Sequence, residues 1–200
     1  MVSLFGLVVL GVITAVVVAH QRDSRRRLQL HAYMADTGWW PISEPPPQQV
    51  DTAWRSRRTK LAAVKNIDGG PVWMVWHRWT ESSGENSSTH DLTRYFRWLG
   101  PNYPDVEVKK RTSVGALIKP VRGPGTGDAA FDKAFRVISP YPADAARLLG
   151  PHLRQLMTEH RLPPWRIERG LLIIQMDLAV RIETLQPMAD QVVELARRLG

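Results

Sequence analysis

The stretch "PVWMVWHRWT" (71–80), followed by "THDLTRYFRWL" (89–99), decides how the chain folds. Both segments are rich in aromatic and β-branched residues, which favour a pleated, half-buried surface. Between them lies "ESSGENSS" (81–88), polar and holding a turn-forming glycine, so the pair predicts an antiparallel hairpin with a long polar loop at its tip. Strand alternation puts Trp73 and Trp79 on one face of the first segment and Trp76 on the other. With Tyr95, Phe96 and Trp98 opposite, the aromatic density is high enough that one face must be core. The other face needs a cover: a helix, a membrane surface or a partner. Aromatic residues beside arginine are common at binding hot spots, so Trp73, Trp76, Trp79 and Trp98 are candidates for a partner contact, with plain core packing of the whole aromatic set as the competing reading.

The pattern continues outward in both directions. "LAAVKNI" (61–67) reads as a strand and "DGG" (68–70) as a tight turn with glycine at positive φ. "DVEVKKR" (105–111) alternates strictly, and "VGALIKPV" (114–121) gives a further short strand. "FDKAFRVIS" (131–139) ends in a strand, and "PADAARLLG" (142–150) has proline at a helix start and glycine at its end. "PHLRQLMTEHR" (151–161) starts a second helix at Pro151, and "WRIERGLLIIQMD" (165–177) reads as two strands hinged at Gly170. Met188, Val192, Leu195 and Leu199 mark a closing amphipathic helix. The class is α+β, one domain with an antiparallel sheet and C-terminal helices, placed at residues 51–200.

Ahead of that domain the chain changes character. Met1 to Ala19 carries no charged side chain and is long enough to span a bilayer as a helix. Lys and Arg are absent before it, and it ends in Val-Val-Val-Ala-His rather than the small-residue pattern of a signal cleavage site. Arg22, Arg25, Arg26 and Arg27 follow it and set the topology, because basic residues near a span stay on the cytoplasmic side. Residues 1–20 are therefore expected to be a retained transmembrane helix in the plasma (inner) membrane, single-pass, with the C-terminal domain cytoplasmic. A cleaved or inverted signal and a buried core helix are the competing readings; the latter is disfavoured because the run is apolar on every face. Residues 21–50 read as a basic juxtamembrane helix stopped at Gly38, the pair Trp39–Trp40, and the stiff spacer "PISEPPPQQ" (41–49).

Composition narrows the chemistry. The 200 residues include no cysteine, which removes disulfides, thiolate metal sites and thiol nucleophiles. The net charge of +8 is concentrated in the arginine cluster, in residues 51–66 (Arg55, Arg57, Arg58, Lys60 and Lys65 against Asp51) and in residues 101–122. On a tethered domain such charge suits anionic lipid headgroups or a protein partner, with Arg55, Arg57, Arg58 and Lys60 as contact candidates. Plain solvation of these charges is the equal alternative. No nucleic-acid motif accompanies them, and nucleic acid is not expected as a partner.

Motifs for catalysis are missing. "GPGTGD" (123–128) lacks the Lys-Ser/Thr end of a phosphate loop and reads as a turn. His77 and His90 fall on neighbouring strands, but Asp91 would point away from His90, so a metal site is not expected there. His152 and His160 are too far apart on one helix to chelate together. No cofactor is expected, no Gly-x-Ser-x-Gly elbow occurs, and paired carboxylates are unmarked.

Several of these segments occur together in a pattern with a precedent. "GDAAFDKAFRV", "ADAARLLGPHLRQLM" and "WRIERGLLI" resemble a group of membrane-anchored bacterial proteins without assigned activity, through Phe131, Asp132, Phe135, Val137, Leu148, Leu149, Pro151 and Trp165. The N-terminal span, arginine cluster and Gly38–Trp39 pair are similar too. The resemblance implies an α+β cytoplasmic-type domain and no catalytic residues. By their own pattern Phe131, Phe135 and Val137 are core residues, and Asp132 caps a turn or accepts an arginine. The expected function is that of a membrane-anchored accessory or scaffold subunit acting by binding; a membrane-tethered enzyme without a recognisable motif is the alternative.

Overall fold

The computed structural model describes residues 24–43, 58–84, 86–111 and 125–200, with Val18 and Gln21. Apart from Val18, the apolar run 1–19 lies outside the described residues. So do Arg22, Arg55, Arg57, most of the proline spacer, and the expected strand at 114–121. Among the described residues no helix is long and apolar enough to cross a membrane. The chain divides into two units, residues 1–40 and 41–200.

In the first unit residues 24–36 form helix α1, which ends at Gly38 with φ +79°. The Trp39 N–H closes the end by donating to the Met34 carbonyl. Trp39 is buried and Trp40 exposed.

In the second unit the sheet has eight strands in the order β1-β2-β3-β4-β8-β7-β5-β6. They are β1 (Trp40–Pro41), β2 (Thr59–Ile67), β3 (Gly70–Ser83), β4 (Asn86–Trp98), β5 (Val106–Lys110), β6 (Phe135–Ile138), β7 (Trp165–Glu168) and β8 (Leu171–Met176). Every pairing from β2 to β6 is antiparallel. Two hairpins turn on two residues at positive φ, Asp68–Gly69 (48° and 72°) and Arg169–Gly170 (51° and 77°), the geometry that matches the twist of the flanking strands. A Cβ at Gly170 would run into the Gly100 carbonyl, so only glycine fits there.

The β3–β4 hairpin corrects the expected loop. Pairing runs without a break from Val72↔Arg97 to Ser83↔Asn86, and Gly84 (φ +62°) sits at the tip. Ser, Thr and Asn carry no apolar alternation to announce a strand, yet nothing stops their backbones from pairing once the turn is tight. The polar "loop" is therefore the far end of a long ribbon.

Helices α2 (Ala129–Ala134), α3 (Pro142–Leu148), α4 (Pro151–Thr158) and α5 (Ile182–Leu199) follow. Asp128 caps α2 by accepting from the Ala130 and Phe131 amides, while Pro142 and Pro151 open α3 and α4. α5 lies across β3, β4 and β8. Its inward stripe is Leu185, Ala189, Val192, Val193, Leu195 and Leu199; Met188 is only half-buried, at the border of the stripe. The register sets Met74, Tyr95, Ile174 and Trp165 in one row and Val72, Leu172, Ile167 and Val106 beside it, on the helix-covered face. All but Trp165, Ile167 and Val106 are fully buried, and those three are nearly so. Each such side chain contributes about 1.5–3 kcal/mol.

On the opposite face Ala62, Val75, Phe96, Leu171 and Ile173 form a second cluster, with Ile42, Trp73 and Trp98 packed against it. Further along that face the sheet turns polar. Arg94 Nε donates to Gln175 Oε1 at 3.1 Å, Arg166 lies 3.4 Å from Glu168, and Lys109 lies 3.0 Å from Glu107. Both faces of the hairpin base are core; its far end is neither.

Candidate functional site

Beyond the sheet the hairpin continues with only its own two strands. β2 accompanies β3 as far as Thr59↔His77, and β8 accompanies β4 from Trp98 down to Thr93. Past those limits the ribbon from Arg78 to Asp91 has no neighbouring strand on either outer edge among the described residues, and on the β3 edge the Arg78 N–H donates to the Arg58 carbonyl. A two-stranded ribbon is marginal alone, so its side chains must hold it or a partner must.

Two groups of side chains, one on each face, do the holding. On the α5 side of the ribbon, Asp91 accepts from Trp76 Nε1 and from Arg78 Nε, each at 2.8 Å, and from Arg78 Nη2 at 3.1 Å. The Arg78 guanidinium also lies 4.9 Å from the centre of the Trp76 ring. Burial pushes the Asp91 carboxyl up, but the hydrogen bonds from Arg78 and Trp76 and the Arg78 charge outweigh it and hold it below the usual value. This triad locks the ribbon to the sheet.

On the other face Trp79 stacks on His90 across the pair, ring centres 5.3 Å apart and 22° from parallel. The Arg58 guanidinium sits 5.4 Å from the centre of the same indole ring. Glu81 accepts from Trp79 Nε1 at 2.9 Å, and its second oxygen lies 3.7 Å from His90 Nε2. Arg58, Glu81 and His90 are exposed and Trp79 is half-exposed. One small patch thus offers an aromatic face, a guanidinium, an imidazole and a carboxylate, the residue types that favour a protein contact. No family model matches the chain, no curated protein matches it, and no solved structure matches its fold.

The sequence-predicted residues are dispersed by the fold. Arg25, Arg26 and Arg27 lie on α1, all exposed. Lys60 is exposed at the bulge where the β2 register slips between Thr59 and Leu61. Trp76 is buried, and Trp73 and Trp98 are half-buried against the second cluster. Of the four tryptophans singled out, only Trp79 joins the open patch, and among the described basic candidates Arg58 lies beside it. Glu81 and His90 are the members not foreseen as contacts. Counting outward from the Gly84 turn would have found His90, since residues equidistant from a two-residue turn face each other.

His77 shares the Trp79 face by alternation but is buried, with Nδ1 3.1 Å from Thr59 Oγ1. His90 and Asp91 point to opposite faces, as alternation requires. Among the described residues no group of three or more His, Asp or Glu side chains could hold a metal ion.

Elsewhere, "GTGD" (125–128) is a loop clamped by Asp132, which accepts from the Thr126 amide and hydroxyl. Arg154 Nη1 donates to the Thr126 carbonyl at 2.8 Å, and its Nε lies 3.7 Å from Asp128. Asp132 caps a turn. Beside it a cavity of about 400 Å³ opens between Val137, Ile138 and the α3 residues Pro142, Ala145 and Ala146, with Arg136, Ser139 and Thr126 as its polar lining.

Proposed function

We propose that the chain is a membrane-anchored accessory subunit whose α+β domain works by binding a protein partner through the β3–β4 ribbon. The observation that carries this reading is the open Arg58–Trp79–His90–Glu81 patch at the root of the free ribbon, just beyond a hairpin base built into two clusters of core. Membrane attachment rests on the apolar run Met1–Ala19 and the arginines after it, which argue for a single span in the plasma membrane with the domain in the cytoplasm. The resemblance to membrane-anchored bacterial proteins supports the same architecture. Anionic headgroups are a second contact for the basic stretch around Arg55, Arg57, Arg58 and Lys60.

Two experiments test the two halves. In wall-stripped cells a C-terminal tag should resist protease until the membrane is opened; immediate digestion would put the domain outside. In a mild detergent extract the full chain should migrate in an assembly larger than twice 22.7 kDa, and Arg58→Ala/Trp79→Ala should release it. Migration of the unaltered chain at or below the dimer size contradicts the partner reading.

A further inference from the structure

We infer that two copies of this chain pair edge to edge through β4, in an antiparallel register centred on Thr89. The inference stands on the open β4 edge and the side chains along it and does not depend on the partner reading.

In β4 the odd-numbered residues bond away from β3, as the Leu99 N–H donating to the Gly170 carbonyl shows. Toward the tip the same parity sends the N–H and C=O of Ser87, Thr89 and Asp91 outward, past the end of β8, which stops opposite Thr93. Among the described residues none of these backbone groups has a partner. Residues 86–90 are exposed as well. Natural edges are guarded by Lys, Pro, bulges or a covering element. Here Asn86–Leu92 holds neither Lys nor Pro, pairs with β3 without a bulge, and contains one carboxylate, Asp91, already committed to Arg78 and Trp76.

The occupant follows from complementarity. A second β4 centred on Thr89 sets Thr89 against Thr89, Ser87 against Asp91, Ser88 against His90 and Asn86 against Leu92. No like charges meet, threonine faces threonine, and all the outward groups of Ser87, Thr89 and Asp91 join in about six backbone hydrogen bonds. Centring on Asp91 would set two carboxylates face to face, and centring on Ser87 would leave Asp91 unpaired. Thr89 is the one centre that uses every group. The two-fold axis keeps the Arg58–Trp79–His90 face uncovered, so pairing and partner binding are compatible.

The chain has no cysteine, which makes the test direct. In the full chain in native membranes, Thr89→Cys puts the only thiols on the two-fold axis. The paired Cα atoms are then about 5.5 Å apart, within disulfide range. Ser87→Cys puts its two thiols about 14 Å apart along the strands. Mild oxidation should convert Thr89→Cys to a covalent dimer and leave Ser87→Cys monomeric. Failure of Thr89→Cys to cross-link, or equal cross-linking at both positions, overturns the proposal.

Thr89→Pro supplies the second arm. It removes an N–H that the hairpin does not use, so the fold tolerates it. For the chain purified away from other proteins, detergent-corrected light scattering should fall from twice 22.7 kDa to 22.7 kDa, and a proline variant with the mass of the purified unaltered chain contradicts the pairing.

Discussion

The β3–β4 hairpin has two ends made of the same two strands, and they differ in everything except backbone geometry. From Val72 to His77 and from Thr93 to Arg97, neighbouring strands cover both outer edges and side-chain clusters cover both faces. From Arg78 to Asp91 no described strand flanks either outer edge, apart from the Arg58 carbonyl that accepts from the Arg78 N–H, and the strands are kept together by their own backbone ladder and by side chains on each face. The base therefore carries stability, and in the proposed function the ribbon carries recognition.

Substitutions should separate the two ends. Leu172→Ala, beneath α5 at zero exposure, should lose about 2–5 kcal/mol in chemical denaturation and drag the whole domain with it. Asp91→Asn, at the junction, should lose about 1–2 kcal/mol by breaking the lock on Arg78 and Trp76. Its acid profile adds a check of sign. The folded Asp91 titrates below its unfolded value of about 3.9, so its contribution is present above that pH and vanishes as pH falls through the folded value. Asp91→Asn should remove that part of the acid dependence.

Tyr95→Phe is the exception expected within the base. The Tyr95 hydroxyl is fully buried without a hydrogen-bond partner among the described residues, and burial raises its pKa. Its removal should leave stability unchanged or raise it by about 1 kcal/mol; a comparable loss in a denaturation curve would point to an internal partner such as water. Ser82→Ala, near the tip, should change stability by less than about 0.5 kcal/mol.

The base was readable from sequence because its signals are local. Aromatic alternation marked β3 and β4, "DG" and "RG" marked two turns, and Pro142, Pro151 and Gly150 punctuated the helices. Neighbours distant in sequence were not readable: β4 beside β8 and β5 beside β7 leave no local trace in any one strand. The ribbon was misjudged for a different reason. Its serines, threonines and asparagine look the same in a loop and in a strand, and only the two-residue turn at Gly84 extends the pairing to them. Arg58 and Trp79 were identified singly, but the patch exists only through cross-strand register, which brings His90 to Trp79 and leaves Trp73, Trp76 and Trp98 in or against the core.

The most direct measurement is site-specific photo-cross-linking in intact membranes, with a photoreactive residue at Trp79 in one full chain and at Trp76 in another. Trp76, buried and bonded to Asp91, is the internal control on the same strand. The account predicts an adduct with a second protein from position 79 and only intramolecular products from position 76. Equal intermolecular adducts from both positions, or none from position 79, would contradict the division of the hairpin into a stable base and a recognising ribbon.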